Sequence, residues 1–299
     1  MRISVFDIGG TFIKHSIFNG FSLSETKHLA TCPQLGKDHL IDTLIGILRK
    51  ETEKAPLDGI GISTRGQVDF FHGVIIFDPP DLFPDYSNTP LRQLISQKLN
   101  QPDIPVIIEN DGNCAAIAES AFGSSQTYDN SLCIVYGTAI GGGIIHQNKI
   151  YRGSNDSAGE FGMMHFPDGH NGSISYENYA SVTKLIEMVS AADASLTDGK
   201  KIVTALSHGD KQISCIIDQW CFRVAVGLSS LIHIFNPPCV VLGGGIMENS
   251  EIVSRIRKQT FALLAPGFEG VQILPATLGN RAGMLGAAYL TLQEIQKKG

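Results

Sequence analysis

Asp7-Ile8-Gly9-Gly10-Thr11 follows directly on the apolar run 3–6, and its reading decides the fold. A carboxylate, two glycines and a threonine hydroxyl in one turn suit a phosphorylated ligand. The glycines let backbone N–H groups approach phosphate oxygens, Thr11 adds a hydroxyl donor, and Asp7 can hold magnesium directly or through its water. The design returns at Gly137-Thr138-Ala139-Ile140-Gly141-Gly142-Gly143, after the apolar run 132–136 and before Ile144-Ile145. One such turn is an ordinary hairpin in many proteins. Two, each opening one half of the chain, point to a two-lobed phosphotransferase.

At 299 residues with 43% hydrophobic content, the chain has material for two cores of ordinary size. A net charge of −6 without any basic run argues against a nucleic-acid or anionic-membrane partner. The longest apolar stretches, such as 224–232, are too short and too interrupted for a bilayer span. Met1 leads into a strand pattern with no basic segment and apolar core of a secretory signal, so a cytoplasmic location is expected. The six cysteines (Cys32, Cys114, Cys133, Cys215, Cys221 and Cys239) sit mostly inside apolar patterns, as buried reduced thiols do. Neither C-x-x-C nor a Cys/His cluster with zinc spacing occurs.

Periodicity gives a strand, a glycine turn and a strand at 3–6 and 12–18, then a helix over 39–54 with Leu40, Leu44, Ile47 and Leu48 on one face. A short buried strand is expected at 59–63 and a hairpin over 67–77 around His72-Gly73. Four prolines make 78–90 a loop. A helix at 91–99 and a strand at 105–108 precede an Ala-rich helix that begins near Asn113. The second half repeats the scheme, with strands around 137–143 and helices over 176–190, 200–206 and 213–235. A strand at 239–242 stops at Gly243-Gly244-Gly245, and helix 251–264, strand 271–274 and helix 284–296 follow. Such alternation argues for an α/β fold, and its doubling for two similar lobes with a cleft between them.

Glu109-Asn110-Asp111-Gly112-Asn113 lies at the carboxyl end of a buried strand just before a helix, where open α/β sheets bind ligands. Asp111 is a candidate general base for a sugar hydroxyl. Asn110 offers the donor and the acceptor that recognition of a hydroxyl requires. Capping of the helix by Asp111 or Asn113 is the competing account, and both roles can share one site. Lys14 is within reach of phosphate, or is a solvated strand lysine.

These stretches resemble successive signatures of the ROK family, named for repressors, open reading frames and sugar kinases. The resemblance rests on Asp7–Thr11, Glu109-Asn110-Asp111-Gly112-Asn113-Cys114-Ala115-Ala116, Gly137-Thr138 with Ile140-Gly141-Gly142-Gly143, and Gly159-Glu160-Phe161-Gly162. Leu242-Gly243-Gly244-Gly245 and Gly283-Met284-Leu285-Gly286-Ala287-Ala288 extend it in order and spacing to about residue 290. It implies an actin-like (ribonuclease H-like) fold and ATP- and magnesium-dependent phosphorylation of a sugar hydroxyl, usually at carbon 6. It also implies one lobe of 1–118 with 284–299 for sugar and phosphate, and a second, 119–283, for nucleotide and for dimerisation. Carried over, Asp111 is the base, and Asn110, Gly66, Glu160 and Glu177 meet the sugar. Asp7, Gly9, Gly10, Thr11 and Thr138 meet phosphate and magnesium, and Gly243, Gly244 and Gly245 lie near the nucleoside.

The departures carry information of their own. Family members with zinc have a histidine three residues after the position of Glu160, then Cys-x-Cys-Gly-x-x-Gly-Cys-x-Glu. Here Met163 stands at the histidine position, and Asn171-Gly172-Ser173-Ile174-Ser175-Tyr176-Glu177 has no cysteine. No zinc site is expected; His165 and His170 read as loop residues, and packing alone must hold the loop. Glu177 reaches the sugar or faces a helix macrodipole. A thioether in place of an imidazole near carbons 1 and 2 suits a substituted anomeric oxygen, so β-glucoside kinase is the first reading. N-acetylmannosamine kinase and glucokinase are the alternatives, and a non-catalytic sugar-binding protein is the rival class. A repressor of the family needs a helix-turn-helix ahead of the first strand, for which Met1-Arg2 leaves no room.

Overall fold

The computed structural model describes residues 1–79, 83, 85–169 and 172–298. The expected loop at 78–90 therefore lies partly outside the described residues, as do His170 and Asn171. The chain divides into two units, one of Met1–Ala121, Ile150–Ala158 and Asn280–Gly299, the other of Phe122–Lys149 and Gly159–Gly279.

In unit 1, β1 (Ile3–Ile8) and β2 (Phe12–Phe18) form an antiparallel hairpin, and β3 (Lys27–Ala30) pairs antiparallel with β2. Helix α1 (Gly36–Lys54) follows, with Leu40, Ile41, Leu44, Ile45 and Leu48 buried on the face that their three-to-four spacing creates. β4 (Gly59–Thr64) lies parallel to β1, and the β5 (Gln67–Asp69) and β6 (Val74–Phe77) hairpin follows. Helix α2 (Leu91–Leu99) leads to β7 (Val106–Asn110), parallel to β4, and to α3 (Asp111–Phe122). The sheet order is β3-β2-β1-β4-β7. Helix α9 (Ala282–Lys298) returns to pack on β4 and β1. Strand alternation sends Phe6, Ile8, Ile60, Ile62 and Ile108 into the core that α1 and α2 fill. The intervening residues Asp7, Gly61 and Ser63 therefore point to the other face, that of α9. Strand β3 went unread in the sequence because its polar, exposed Lys27 and His28 hide the period.

His15 on β2 is 2% exposed, and its Nε2 lies 3.0 Å from Ser4 Oγ. Burial pushes its imidazole down to about 4, although Glu51 nearby pulls the other way. A depressed histidine leaves the unfolded chain with more bound protons between pH 6.5 and 4, so stability falls as pH falls through that window. A shift of this size corresponds to on the order of 3 kcal/mol. Urea titrations should show His15→Gln with a flatter loss of stability from pH 7 to pH 4 than the parent, and equal slopes would refute this account.

Unit 2 repeats the sheet. β8 (Ser131–Tyr136) and β9 (Ile140–His146) form the second glycine hairpin, and β10 (Lys149–Ile150) pairs with β9. After β11 (His165–Pro167) and β12 (Ser173–Ser175), helices α4 (Tyr176–Ala180), α5 (Val182–Ser190), α6 (Gly199–Ser207) and α7 (Lys211–Phe235) precede β13 (Cys239–Gly243). Helix α8 (Ser250–Phe261) and β14 (Gln272–Pro275) complete the order β10-β9-β8-β13-β14. In each sheet an antiparallel hairpin is extended by two parallel strands, the doubled arrangement of the actin-like ATPase fold.

The helix expected over 176–190 is two helices. Ser181 is extended (φ −66°, ψ 168°), and its Oγ accepts the Lys184 N–H at 3.3 Å as the N-cap of α5. Helix α7, at 25 residues, is long and apolar enough by length and composition to cross a membrane, which the run 224–232 did not reveal. Its Ile213, Ile217, Trp220, Val224, Leu228 and Ile232 are buried. Trp220 Nε1 donates to the carbonyls of Ala180 and Ser181, both at 3.0 Å, so the indole holds the break between α4 and α5.

Candidate active site

Neither Gly9, Gly10 nor Gly137 has a positive φ. The two-residue hairpin turns that demand glycine do so through positive φ, so turn geometry does not account for glycine at these places. Gly9 N–H donates to the Phe12 carbonyl at 3.0 Å, Thr31 Oγ1 donates to the Gly9 carbonyl at 2.8 Å, and Thr11 is exposed. Register then builds a charged cluster. Lys14 stands opposite Asp7 in the antiparallel pair, and Ser63 stands beside it in the parallel pair. Lys14 Nζ lies 2.8 Å from Asp7 Oδ2, and Ser63 Oγ donates to Oδ1 at 2.9 Å. Lys14, its side chain 23% exposed, is thus the ion-pair partner of Asp7.

The turn from β7 into α3 is stitched from three sides. Asn110 Nδ2 donates to the Gly66 carbonyl at 2.9 Å, and its Oδ1 accepts the Asn113 N–H at 3.1 Å. Asn110, not Asp111 or Asn113, therefore caps the helix, because it is the residue that ends the strand with its side chain over the first turn. Gly66 holds φ +85°, and a Cβ there would lie 2.6 Å from the Phe77 carbonyl oxygen, so only glycine delivers that carbonyl to Asn110. Asp111 opens α3 with an exposed side chain whose Oδ1 accepts the Gly112 N–H at 2.8 Å. Beneath them Glu109 is buried, its Oε2 paired with Arg152 Nη2 at 2.5 Å. Neither Glu109 nor Arg152 carried a role in the sequence. The signal for Glu109 was an acidic residue ending an apolar strand; Arg152 had none.

In unit 2, Glu160 precedes a helical turn in which the Met163 N–H donates to its carbonyl at 3.1 Å. Phe161 seats that turn on the sheet at Gly142, where a Cβ would come within 2.7 Å of the ring. Partial burial and then the neighbouring Glu177 carboxylate push the Glu160 carboxyl above its ordinary range. Glu177 itself lies in the first turn of α4. The exposed Thr138 accepts a hydrogen bond on its carbonyl from Thr183 Oγ1 at 2.9 Å, which ties the second glycine turn to the start of α5. Thr138, Glu177, Ser181 and Thr183 help line a cavity of about 460 Å³. Gly243 ends β13, Gly244 holds φ +101°, and Gly245 begins the next helical turn.

In the segment that lacks the zinc-ligand pattern, β11 and β12 pair antiparallel, with Phe166 opposite Ile174 and His165 opposite Ser175. Phe166 stacks on Tyr179 at 5.4 Å and 18°, and His165 Nδ1 lies 3.1 Å from Ser173 Oγ. Packing is therefore joined by strand pairing in holding it, because the short segments 165–167 and 173–175 are close enough to pair.

The sequence profile described as "ROK family" matches residues 3–294. A β-glucoside kinase of Listeria monocytogenes is 29% identical over 301 residues, covering 98% of each chain. The crystal structure of a ROK family glucokinase from Streptomyces griseus, in complex with glucose and AMPPNP, superposes with TM-score 0.84 at 29% identity, over 98% of this chain and 100% of that one. A ROK family protein from Streptococcus pneumoniae in complex with sucrose gives TM-score 0.85 at 25% identity, over 99% and 100%.

Proposed function

This chain belongs to the ROK family and is an ATP-using carbohydrate kinase, and on that premise we propose that it phosphorylates the 6-hydroxyl of a β-glucoside in the cytoplasm. The observation that carries the choice of sugar is Met163. It is 58% exposed in the same turn as Glu160, where zinc-bearing members have a histidine, so the anomeric side of the sugar meets a pliable thioether. The full-length likeness to a β-glucoside kinase supports the same reading. Turnover with ATP on cellobiose, glucose and N-acetylmannosamine tests it: cellobiose should give the highest kcat/KM, and a strong preference for free monosaccharides would end the idea.

In this reading Asp111 accepts the proton of the attacking hydroxyl while Asn110, Gly66, Glu160 and Glu177 fix the sugar. Thr11 and Thr138, with the N–H of Gly10, meet phosphate; the Gly9 N–H is already given to the Phe12 carbonyl, so Gly9 serves by leaving the turn without a side chain, and Gly243–Gly245 lie near the nucleoside. Asp7, whose oxygens take the Lys14 ammonium and the Ser63 hydroxyl, is the one carboxylate of this turn that would hold magnesium, directly or through its water. Magnesium bound there neutralises phosphate charge.

Ionised, Glu160 can accept sugar hydroxyls on both oxygens, and protonation turns one of those acceptors into a donor. Since its carboxyl is raised, KM for sugar should climb as pH falls toward the acid side, and to begin climbing at higher pH than an ordinary carboxylate allows. Removing the like charge with Glu177→Gln lowers the Glu160 carboxyl, so the acid limb of kcat/KM should move to lower pH. An unmoved limb would show that Glu160 does not govern it.

A further inference from the structure

We propose that Arg152 is a positioning residue for phosphoryl transfer, acting through buried Glu109 to fix the β7–α3 turn that presents Asp111. This rests on Asp111 as the base. Glu109 is 1% exposed, and a carboxylate at that depth needs partners on both oxygens. Its Oε1 accepts the Asn110 N–H at 2.9 Å and Asn113 Nδ2 at 3.0 Å, so one oxygen spans the last strand residue and the first turn of α3. Its Oε2 takes the Arg152 guanidinium at 2.5 Å, from a segment 43 residues away in sequence.

The arginine is itself held. Its guanidinium carbon lies 3.8 Å from the centroid of the Phe70 ring, its Nε lies 3.8 Å from Asp156 Oδ1, and its carbonyl accepts the Ala158 N–H at 3.0 Å. The Phe70 ring on one face and the Nη2 bond to Glu109 place the planar charge, with Asp156 adding a longer-range ion pair, an arrangement that a lysine ammonium cannot reproduce. Burial pushes the Glu109 carboxyl up and Arg152 pulls it down. Without the arginine the carboxylate is left uncompensated, and its relaxation loosens the two groups that Oε1 gathers. Those groups set where Asp111 stands, and a displacement of about 1 Å at a reacting group costs on the order of 10²-fold in rate.

The test compares Arg152→Met, Arg152→Lys and the double variant Glu109→Gln/Arg152→Met in the full chain, reading kcat, both KM values and the thermal midpoint. Arg152→Met should lose about 10²-fold in kcat while KM for ATP stays within about twofold. The double variant should regain at least about tenfold, since a neutral amide oxygen keeps the Oε1 acceptor and calls for no cation. A kcat within about threefold of the parent, or a loss that the double variant does not relieve, would overturn the proposal. If Arg152→Met does not fold, Arg152→Lys decides: about tenfold lower kcat at unchanged KM supports the positioning role, and parental kcat refutes it. Asp111→Asn run alongside separates the two readings. Full activity there removes the base; inactivity there with a fully active Arg152→Met removes the positioning pair alone.

Discussion

Asp111→Asn is expected to lower kcat by about 10²- to 10⁴-fold, the range a positioned general base supplies, while both KM values stay near those of the parent. The argument is geometric before it is chemical. Asn has the same shape, and its amide oxygen can keep the bond that Asp111 Oδ1 accepts from the Gly112 N–H at 2.8 Å. The turn itself is held by Asn110, Gly66 and Glu109, so the substitution should leave the fold and the sugar site intact. What it removes is the capacity to take a proton from a hydroxyl. Isothermal titration with the sugar and a steady-state assay on one preparation would separate these effects. Binding kept with turnover lost assigns the base; near-normal turnover withdraws it.

Gly244→Ala is expected to be the most damaging single-methyl change in unit 2. Its φ of +101° is a conformation that residues with a Cβ rarely adopt, and the new carbon would lie 1.9 Å from the Tyr136 carbonyl oxygen. Backbone strain of this kind costs about 1–3 kcal/mol, and a clash with main chain cannot be relieved by a rotamer change. Together they put the loss in the exceptional class above about 4 kcal/mol. Tyr136 is also the last residue of β8, directly ahead of Gly137-Thr138, so any backbone shift that admits the methyl displaces the phosphate turn. Gly245→Ala is the matched control: its Cβ would meet no atom within 4 Å, and its stability should stay near the parent's. Chemical denaturation of both variants gives the comparison, and equal stabilities would refute the steric account.

The actin-like fold came from the family resemblance, while the local pattern alone was enough for the two glycine hairpins, the α/β class and the placing of Asn110 and Asp111 at a strand end. Each of these depends on spacing within a dozen residues: a period of two or of 3.6, a glycine pair behind an apolar run, a polar cluster before a helix. Helix boundaries drifted by two or three residues, as at Gly36 of α1 and, despite its Asp210 cap, at Lys211 of α7. Other features depended on which distant residues the fold sets side by side. Strand register gave Lys14 to Asp7 and brought Ser63 to the same carboxylate. Trp220 reached across from α7 to hold the break at Ser181. Arg152 arrived at Glu109 from a separate stretch of chain, and no periodicity carries that meeting. Short-range order is written in side-chain repeats. A buried ion pair is chosen by the need of each charge for a partner out of water, and only the folded chain decides which partner is near.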